Sequence, residues 1–276
     1  MRALICHSAK DLRIETTELP NMGPDQVRVK VAFGGICGSD LHYYQHGGFG
    51  TVRIKQPMAL GHEISGVVSA LGANVKHLTV GQRIAISPSR PCGSCRFCQL
   101  GQQNHCLNMR FFGSAMPFPH IQGAFAEQLV IEAYQAHAIG QHLSLSEAAL
   151  AEPLSVGLHA IQRAGGVLGK QVFVTGCGPI GSLLIGALRR AGAARIAGGY
   201  AGLTVLPEGM EIVTAEYKIN FLSGHQEGEL RAVGKVVKGG KRIVVTTVEV
   251  FHIDAQGKQS MCAVMQQTLV PVPQNY

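Results

Sequence analysis

Four cysteines have the spacing of a metal site. Cys92, Cys95 and Cys98 follow a C-x-x-C-x-x-C pattern, and seven residues separate Cys98 from Cys106. We call residues 92–106 the cysteine lobe. Four thiolates around one Zn²⁺, each at about 2.3 Å, would stabilise a segment that is too short and too polar to fold by apolar burial. Because a closed Cys₄ site leaves no open coordination position, we predict a structural zinc rather than a catalytic one.

Two disulfides and an iron–sulfur cluster are the alternatives for these cysteines. Disulfides are typical of secreted proteins, and no other feature of the chain points to secretion. The three-cysteine run resembles the ferredoxin pattern, but no proline follows Cys106 and the chain has no second set of cluster ligands. The sequence favours zinc and leaves both alternatives open. Cys6, Cys177 and Cys262 lie outside the metal patterns, and we predict that they are packing residues.

A thiol, an imidazole and two carboxylates elsewhere are candidate ligands of a second zinc. Cys37, His62 and Glu152 would supply three protein ligands and leave one position open for water or substrate. Glu63, next to His62, is an alternate ligand. An open zinc acidifies an alcohol and so prepares its carbon for hydride loss. We therefore predict a catalytic zinc at this second group.

Ser39 and His42 follow Cys37 closely and are predicted to carry the substrate proton. A hydroxyl near the metal can accept the proton and pass it to an imidazole near the surface. Plainer interpretations exist: Cys37 as a buried apolar side chain, His62 as a satisfied polar group, and Glu152 as a solvated carboxylate. The presence of the cysteine lobe in the same chain favours the catalytic interpretation.

The composition indicates a well-buried globular protein of one large or two medium domains. The 276 residues are 46% hydrophobic and 15% charged, which argues against a disordered chain. A formal charge of +7 favours anionic ligands such as nucleotide phosphates, while the scattered basic residues do not predict nucleic-acid binding. No signal peptide and no apolar run of about 18 residues is evident, so we expect a cytoplasmic protein without a membrane span.

The elements that must position these residues change along the chain. The first part predicts short strands, at 26–31, 63–68, 83–86 and 124–131, followed by a helix over 144–164. A strand at 171–175, a glycine turn, a helix at 182–192 and a strand at 194–197 then predict the start of a Rossmann unit. Helix-start N–H groups there can hold a pyrophosphate, although a plain tight turn is the alternative. The predicted cofactor-binding residues are Gly176, Gly178, Pro179, Ile180 and Gly181.

The rest of the nucleotide sheet is missing from the sequence. No acidic residue that could bind the adenosine ribose occurs before Glu208, and Arg195 precedes the position expected for recognising the 2′-phosphate of NADP. The cofactor is therefore predicted as NAD or NADP without a choice between them. Four strand-like runs follow, at 211–222, 228–238, 241–253 and 259–270, with Gly239-Gly240 as a two-residue hairpin signal. They predict an antiparallel meander, which cannot continue a parallel sheet.

Residues 1–196 resemble the zinc-containing medium-chain dehydrogenases, and within them the polyol branch of sorbitol and L-idonate 5-dehydrogenases. The motifs are residues 35–44, 60–63, the cysteine lobe, 109–116 and 151–154. In that family Cys37, His62 and a glutamate at the position of Glu152 hold the catalytic zinc, with Glu63 nearby. The resemblance also implies that Tyr43 and Arg110 border the substrate pocket. A structural aromatic and a solvated cation are the alternatives for these two residues.

Residues 199–276 resemble the C-terminal half of a hotdog-fold acyl-CoA thioesterase, including a motif at 206–209. The two resemblances imply a mixed α/β chain with three parts. These are a GroES-like zinc-binding domain at 1–165, a truncated Rossmann unit at 166–197, and a hotdog-like four-stranded tail at 198–276. The catalytic half of the thioesterase is absent, and one face of the tail sheet needs cover.

The leading prediction is zinc- and NAD(P)-dependent oxidation of a secondary alcohol of a polyol or sugar acid, with L-idonate as the best substrate. The shortened nucleotide unit puts turnover in question. A non-catalytic, zinc-stabilised or oligomerising protein is the second hypothesis, and an acyl-CoA thioesterase is the third. The expected partners are a small-molecule substrate and further copies of the chain, with neither nucleic acid nor membrane.

Overall fold

The computed structural model describes residues 1–174, 176, 178–198, 210–223 and 229–273. Cys177 and the thioesterase-like motif at 206–209 lie outside these residues, as does the side chain of Arg195. The chain forms two compact units, Met1–Glu152 and Pro153–Tyr276. The finer division at residues 165 and 197 stays a prediction.

The first unit is rich in short strands, as predicted, and carries three α-helices, while a fourth begins at its last two residues and continues into the second unit. The strands are β1 (Arg2–Ser8), β2 (Asp11–Thr16), β3 (Gln26–Gly35), β4 (Gly48–Phe49), β5 (Val52–Arg53), β6 (Met58–Ala59), β7 (Glu63–Leu71), β8 (Arg83–Ile86), β9 (Ser89–Arg90), β10 (Arg110–Phe111), β11 (Gln128–Glu132) and β12 (Ala136–Ala138). The helices are α1 (Gly38–His46), α2 (Arg96–Gln99), α3 (Leu145–Ala148) and α4 (Ala151–Arg163).

A five-stranded antiparallel sheet in the order β11-β3-β7-β8-β12 forms the centre of this unit. Alternate residues of β3, such as Val27 and Val29, point into the core, where they pack with Ile64 and Ile84. The alternation in the sequence at 26–31 is thus a half-buried strand, as predicted. A second, three-stranded sheet has the order β2-β1-β6.

The predicted helix over 144–164 is two helices, α3 and α4. Pro153 explains the break, because proline has no N–H to donate to the carbonyl of Ala149 four residues earlier. In the first turn of α4 the same proline is tolerated, since the N–H groups there have no helical partner.

The second unit contains a strand–helix–strand segment and an antiparallel sheet. Its elements are β13 (Gln171–Val174), α5 (Pro179–Arg190), β14 (Arg195–Gly198), β15 (Met210–Phe221), β16 (Glu229–Lys238), β17 (Val244–Ile253) and β18 (Gln259–Pro273). β13 and β14 pair in parallel, with Val174 opposite Gly198. Val167, Val174, Ile185 and Leu188 form the core under α5.

The tail is antiparallel, as predicted, but its strand order is β15-β18-β17-β16. The prediction of a simple meander is therefore wrong for β15, which pairs with β18 instead of β16. The connection from Phe221 to Glu229 is longer than a tight hairpin turn, so chain proximity does not force β15 and β16 together. The predicted Gly239-Gly240 hairpin also extends to Ile243, because β17 begins only at Val244.

One face of β17 and β18 is buried. β17 alternates buried and half-buried residues along its whole length. Val248 and Met265 are directly opposite each other and almost completely buried. No helix among the described residues is long and apolar enough to cross a membrane.

Candidate functional site

Cys37, His62 and Glu63 converge in the first unit. One potential ligand atom from each lies within 4.8 Å of the others. Ligands of one zinc are at most about 4.5 Å apart, because each bond is about 2.0–2.3 Å long. Small side-chain movements would therefore suffice to bring these three around one ion.

The pairing of β3 with β7 brings this cluster together. Gly35 on β3 lies directly opposite Glu63 on β7. A Cβ at residue 35 would lie 2.2 Å from Oε2 of Glu63, so any larger residue at this position would displace that carboxylate. Cys37 follows two residues after Gly35 as the N-cap of α1, and His62 immediately precedes β7.

Asp40 fixes the two segments that carry the cluster. Its Oδ2 accepts the backbone N–H of Cys37 and its Oδ1 accepts that of Gly61, both at 3.0 Å. The Asp40 side chain is buried, and its Oδ1 lies 4.0 Å from Nδ1 of His62. Asp40 was not predicted as a site residue, although its position three residues after an N-cap is a recognisable helix-start signal.

Nδ1 of His62 is buried and has no hydrogen-bond partner among the described residues. A histidine that binds a metal through one ring nitrogen usually donates the N–H of the other to a carboxylate or carbonyl. A small rotation would bring Nδ1 to Asp40. The residues present therefore fit a zinc ion bound through Nε2 of His62.

The cluster favours the charged forms of Cys37 and His62. The hydrogen bond from His62 lowers the pKa of Cys37, against the effect of burial, and a hydrogen bond with Ser39 lowers it further. Burial alone would lower the pKa of His62, but Cys37 and Asp40 outweigh it and raise the pKa. A thiolate is the form of cysteine that binds zinc.

The two candidate glutamates are not equivalent. Glu63, the predicted alternate ligand, belongs to the cluster, whereas Glu152 lies in the first turn of α4 outside the three-residue group. Burial raises the pKa of both carboxyl groups, and His62 opposes the rise in each. Glu152 is near enough to interact electrostatically with His62 and Glu63. A cation between them would relieve the cost of burying both carboxylates.

The two predicted proton carriers lie on α1. Ser39 hydrogen bonds to the sulfur of Cys37. His42 follows one helical turn later, is exposed, and has its ring 6.2 Å from that of Phe49. Residues three apart on a helix share a face, so the two side chains lie on one route from the cluster to solvent.

The two predicted substrate-pocket residues lie elsewhere. Tyr43 is buried in a core cluster with Met58 and Leu60, and its hydroxyl accepts the N–H of Ala115 at 3.0 Å. This placement supports its interpretation as a structural aromatic. Arg110 is exposed and is not part of the zinc cluster, so its contact with substrate stays a prediction.

Phe111, which the sequence analysis included only within a motif, borders the cluster. Its ring centroid lies 5.3 Å from that of His62. An aromatic ring against the imidazole limits its rotation and shields one side of the site from water.

The cysteine lobe has the geometry of a tetrathiolate metal centre. The sulfur of Cys98 lies 4.0 Å from the sulfur of Cys92 and 3.6 Å from the sulfur of Cys95. The sulfurs of Cys95 and Cys106 are 4.0 Å apart. Four sulfurs at about 2.3 Å around one zinc are about 3.8 Å apart. A disulfide needs about 2.05 Å, and all the described cysteines are free thiols.

Backbone N–H groups favour thiolates in the lobe. Cys106 accepts the N–H of Cys92 at 3.2 Å and that of Asn108 at 3.4 Å. Hydrogen bonds from Ser94 and Cys95 lower the pKa of Cys92 to about 5. Burial, and then the neighbouring thiols, raise the pKa of Cys98. A bound cation would favour the thiolate form of the four cysteines.

The described glycines between β13 and α5 have features that a dinucleotide-binding turn needs. Gly176 has a φ of +82°, which favours glycine. A Cβ at Gly181 would lie 2.1 Å from the carbonyl oxygen of Gly176, so this helix can approach the turn only with glycine there. Gly178 has open space around it, as a position approached by a pyrophosphate requires. Pro179 opens α5, and Ile180 follows it at the helix start.

This turn fits a dinucleotide, but only part of a nucleotide sheet accompanies it. Within the described residues, the parallel sheet consists of β13 and β14 alone. A complete Rossmann domain binds its cofactor at a switch point between two sets of parallel strands.

Comparison with known families divides the chain in two. Residues 23–141 match the alcohol dehydrogenase GroES-like domain, and residues 191–257 match the thioesterase superfamily. The chain therefore has a mixed α/β fold with a GroES-like domain of the alcohol dehydrogenase type and a hotdog-like segment. Both predicted resemblances are confirmed.

Individual relatives point to the polyol branch of the dehydrogenases. The chain is 47% identical over 168 residues to L-idonate 5-dehydrogenase (NAD(P)(+)) of Escherichia coli, covering 61% of this chain and 48% of the relative. It is 42% identical over 194 residues to sorbitol dehydrogenase of Gallus gallus, covering 70% of this chain and 54% of the relative. The chain thus spans about half the length of the curated relatives it matches.

Solved structures agree. The crystal structure of L-idonate 5-dehydrogenase from Escherichia coli matches with a TM-score of 0.67 and 42% identity, over 71% of this chain and 56% of that one. The structure of 2R,3R-butanediol dehydrogenase from Bacillus subtilis matches with a TM-score of 0.63 and 34% identity, over 71% and 57%.

Proposed function

We propose that this protein oxidises a secondary alcohol of a polyol or sugar acid with the help of zinc and NAD or NADP. The observation that carries the proposal is the convergence of Cys37, His62 and Glu63, with Asp40 holding the segments on which they stand. The similarity to sorbitol and L-idonate 5-dehydrogenases supports the substrate class.

Cys37 and His62 would hold the catalytic zinc together with one of the glutamates. The sequence predicts Glu152 as the third ligand and Glu63 as the alternate, whereas in this structure it is Glu63 that lies near Cys37 and His62. When bound, zinc acidifies an alcohol group, and a nicotinamide accepts the hydride from its carbon. The buried site and the Phe111 ring exclude water around that alcohol.

The chain itself would carry the proton away. Ser39, beside the Cys37 sulfur, is placed to accept it from the alcohol. His42, exposed on the same face of α1, can then release it to solvent. Such a relay is a common form of general base catalysis.

The turn with Gly176, Gly178 and Gly181, together with Pro179 and Ile180, would hold the cofactor pyrophosphate. A second zinc in the cysteine lobe would be structural. L-idonate as substrate, a homo-oligomeric assembly and a cytoplasmic location are finer parts of the proposal.

The test is reduction of NAD⁺ or NADP⁺ by purified, zinc-loaded protein, followed by the absorbance of the reduced nicotinamide. We expect turnover with L-idonate or sorbitol, and its loss in Cys37→Ala. Comparison with Cys98→Ser, which removes a ligand of the lobe zinc instead, distinguishes loss of the catalytic metal from a general loss of fold. Full zinc content with neither cofactor binding nor turnover would contradict the proposal.

That outcome would favour a second candidate, a non-catalytic zinc-stabilised protein that associates through its tail. β16 lies at an edge of the tail sheet and is largely exposed, with Leu230 and Val237 among its exposed residues. An exposed edge strand can pair with another chain. Sedimentation of the intact protein would then show an oligomer that a proline at Val233 disrupts.

A further inference from the structure

Arg90 and Arg110 flank the cysteine lobe in the sequence and meet at its base in the structure. β9 and β10 are antiparallel, and Arg110 lies directly opposite Arg90. Residues directly opposite each other on antiparallel strands share a face, with Cβ atoms about 4.5–5.5 Å apart. The two arginines therefore project from one face of the β9–β10 pair, where the lobe leaves the sheet, and both line the same groove.

Only part of the positive charge of this pair is balanced by the described carboxylates. Glu132 pairs with Arg90, its Oε1 lying 3.5 Å from the guanidinium, but the same oxygen also accepts a hydrogen bond from Gln26 at 2.9 Å. The Arg110 side chain forms no hydrogen bond or ion pair with the part of the chain that the structure describes. Like charges directly opposite each other destabilise a strand pair. A negative charge nearby would relieve the repulsion between the two arginines.

Two sources of that charge are conceivable. Both arginines line a groove of about 790 Å³ together with Cys92 and Cys106. An anion from solution would fit the groove by size. However, four thiolates around one Zn²⁺ carry about two net negative charges. Two guanidiniums balance them, and Glu132 leaves the groove slightly negative, so an added anion would be repelled.

We propose that Arg90 and Arg110 are the counter-charges of the zinc centre in the cysteine lobe and slow the loss of its metal. This inference rests on the structural zinc proposed above. The loaded centre attracts both arginines and so keeps β9 and β10 paired at the base of the lobe. Removal of an arginine weakens that attraction and lets the lobe open more readily.

The experiment follows zinc release from the intact, fully loaded protein into an excess of a chromogenic chelator. The kinetic phase of zinc release that comes from the lobe is identified as the one that Cys98→Ser lacks. Arg110→Gln should accelerate this phase about tenfold, the lower range for residues just outside a metal's ligands. Arg110→Lys, which keeps the charge, should stay within about twofold of the wild type.

Arg13→Gln is the control, because Arg13 is an exposed arginine on β2, away from β9 and β10, where it pairs with Asp11 of the same strand. It should leave the lobe phase unchanged. High salt should narrow the difference between wild type and Arg110→Gln, because salt screens exposed charges. None of these readouts involves substrate, so they are separate from any role of Arg110 in turnover.

Three results would overturn the inference. The lobe phase in Arg110→Gln is no faster than in wild type, which would mean that the arginines only repel each other. Arg110→Lys is as fast as Arg110→Gln, which would show that shape rather than charge matters. Wild-type protein has no Cys98-dependent zinc at all, in which case the structural zinc itself is wrong, whatever the result of the oxidation assay.

Discussion

The carboxylate of Asp40 lies 4.0 Å from Nδ1 of His62, a nitrogen with no hydrogen-bond partner in the described part of the chain, and both side chains are buried. The same carboxylate accepts the N–H groups of Cys37 and Gly61. One residue thus fixes the backbone on both sides of the candidate catalytic cluster and stands ready to orient the imidazole.

Replacement of Asp40 should therefore weaken the catalytic zinc selectively. Asp40→Asn keeps the size of the side chain but removes its charge and one of its two acceptor oxygens. We expect about a 10- to 100-fold lower affinity for that zinc, with the lobe zinc unaffected. Competition with a metal buffer measures the affinity, and Asp11→Asn, at a partly exposed carboxylate on β2, is the control. Equal affinity in Asp40→Asn and wild type would show that Asp40 has only a structural role.

Tyr43 should matter for stability rather than for substrate. Tyr43→Phe leaves the buried N–H of Ala115 without an acceptor, which costs about 1–3 kcal/mol. Chemical denaturation should show this loss, whereas Tyr44→Phe, at a more exposed position, should not. An unchanged stability with a raised KM would instead place Tyr43 at the substrate, as the resemblance implied.

Two glycines of the cofactor turn should respond differently to alanine. At Gly181 a Cβ would lie 2.1 Å from the carbonyl oxygen of Gly176, so Gly181→Ala should destabilise the second unit. At Gly178 the space is open, so Gly178→Ala should leave stability unchanged and weaken NAD⁺ binding. Thermal unfolding and cofactor titration separate the two effects. Normal cofactor binding by Gly178→Ala would argue against a pyrophosphate at this turn.

The metal-free protein should show opposite pH effects at two glutamates. Burial raises the pKa of Glu63, which also feels the Asp40 charge. A raised pKa costs stability while the group is ionised, so Glu63→Gln should stabilise the protein at neutral pH. This gain should disappear as the pH falls through the raised folded pKa toward the ordinary value of 4.5.

Glu127 is the matched control for this effect. Hydrogen bonds from the backbone and side chain of Arg2 lower its pKa. Its contribution to stability is therefore present above the ordinary value of 4.5 and is lost as the pH falls through the lowered folded pKa. Glu127→Gln should destabilise the protein at neutral pH, by a small amount because the pair is exposed. Denaturation at several pH values measures both variants, and the same sign for both would contradict this account.

Local patterns predicted much of the first unit. The alternation at 26–31 and the strand-like run at 63–68 predicted β3 and β7, whose pairing brings Cys37 to His62. The C-x-x-C-x-x-C spacing predicted sulfurs that the structure places at tetrathiolate distances. These features depend on neighbours in the chain, which a single sequence shows directly.

Long-range features escaped the sequence analysis. The pairing of β15 with β18 depends on register between distant strands, and nothing near Phe221 indicates it. Asp40 acts through backbone groups of two separate segments, one of them 21 residues away at Gly61. Tyr43 looks like part of a site in the linear motif, but the helix turns it into the core. Such placements follow from tertiary packing and require the fold.

The central claim is that this chain holds one zinc at the Cys37–His62 cluster and another in the cysteine lobe. Metal analysis of the purified wild type, His62→Ala and Cys98→Ser proteins tests it most directly. We predict two zinc ions per chain in the wild type and one in each variant, with cofactor reduction lost in His62→Ala. A wild type that holds only the Cys98-dependent zinc, or a His62→Ala protein that still holds two, would contradict the claim.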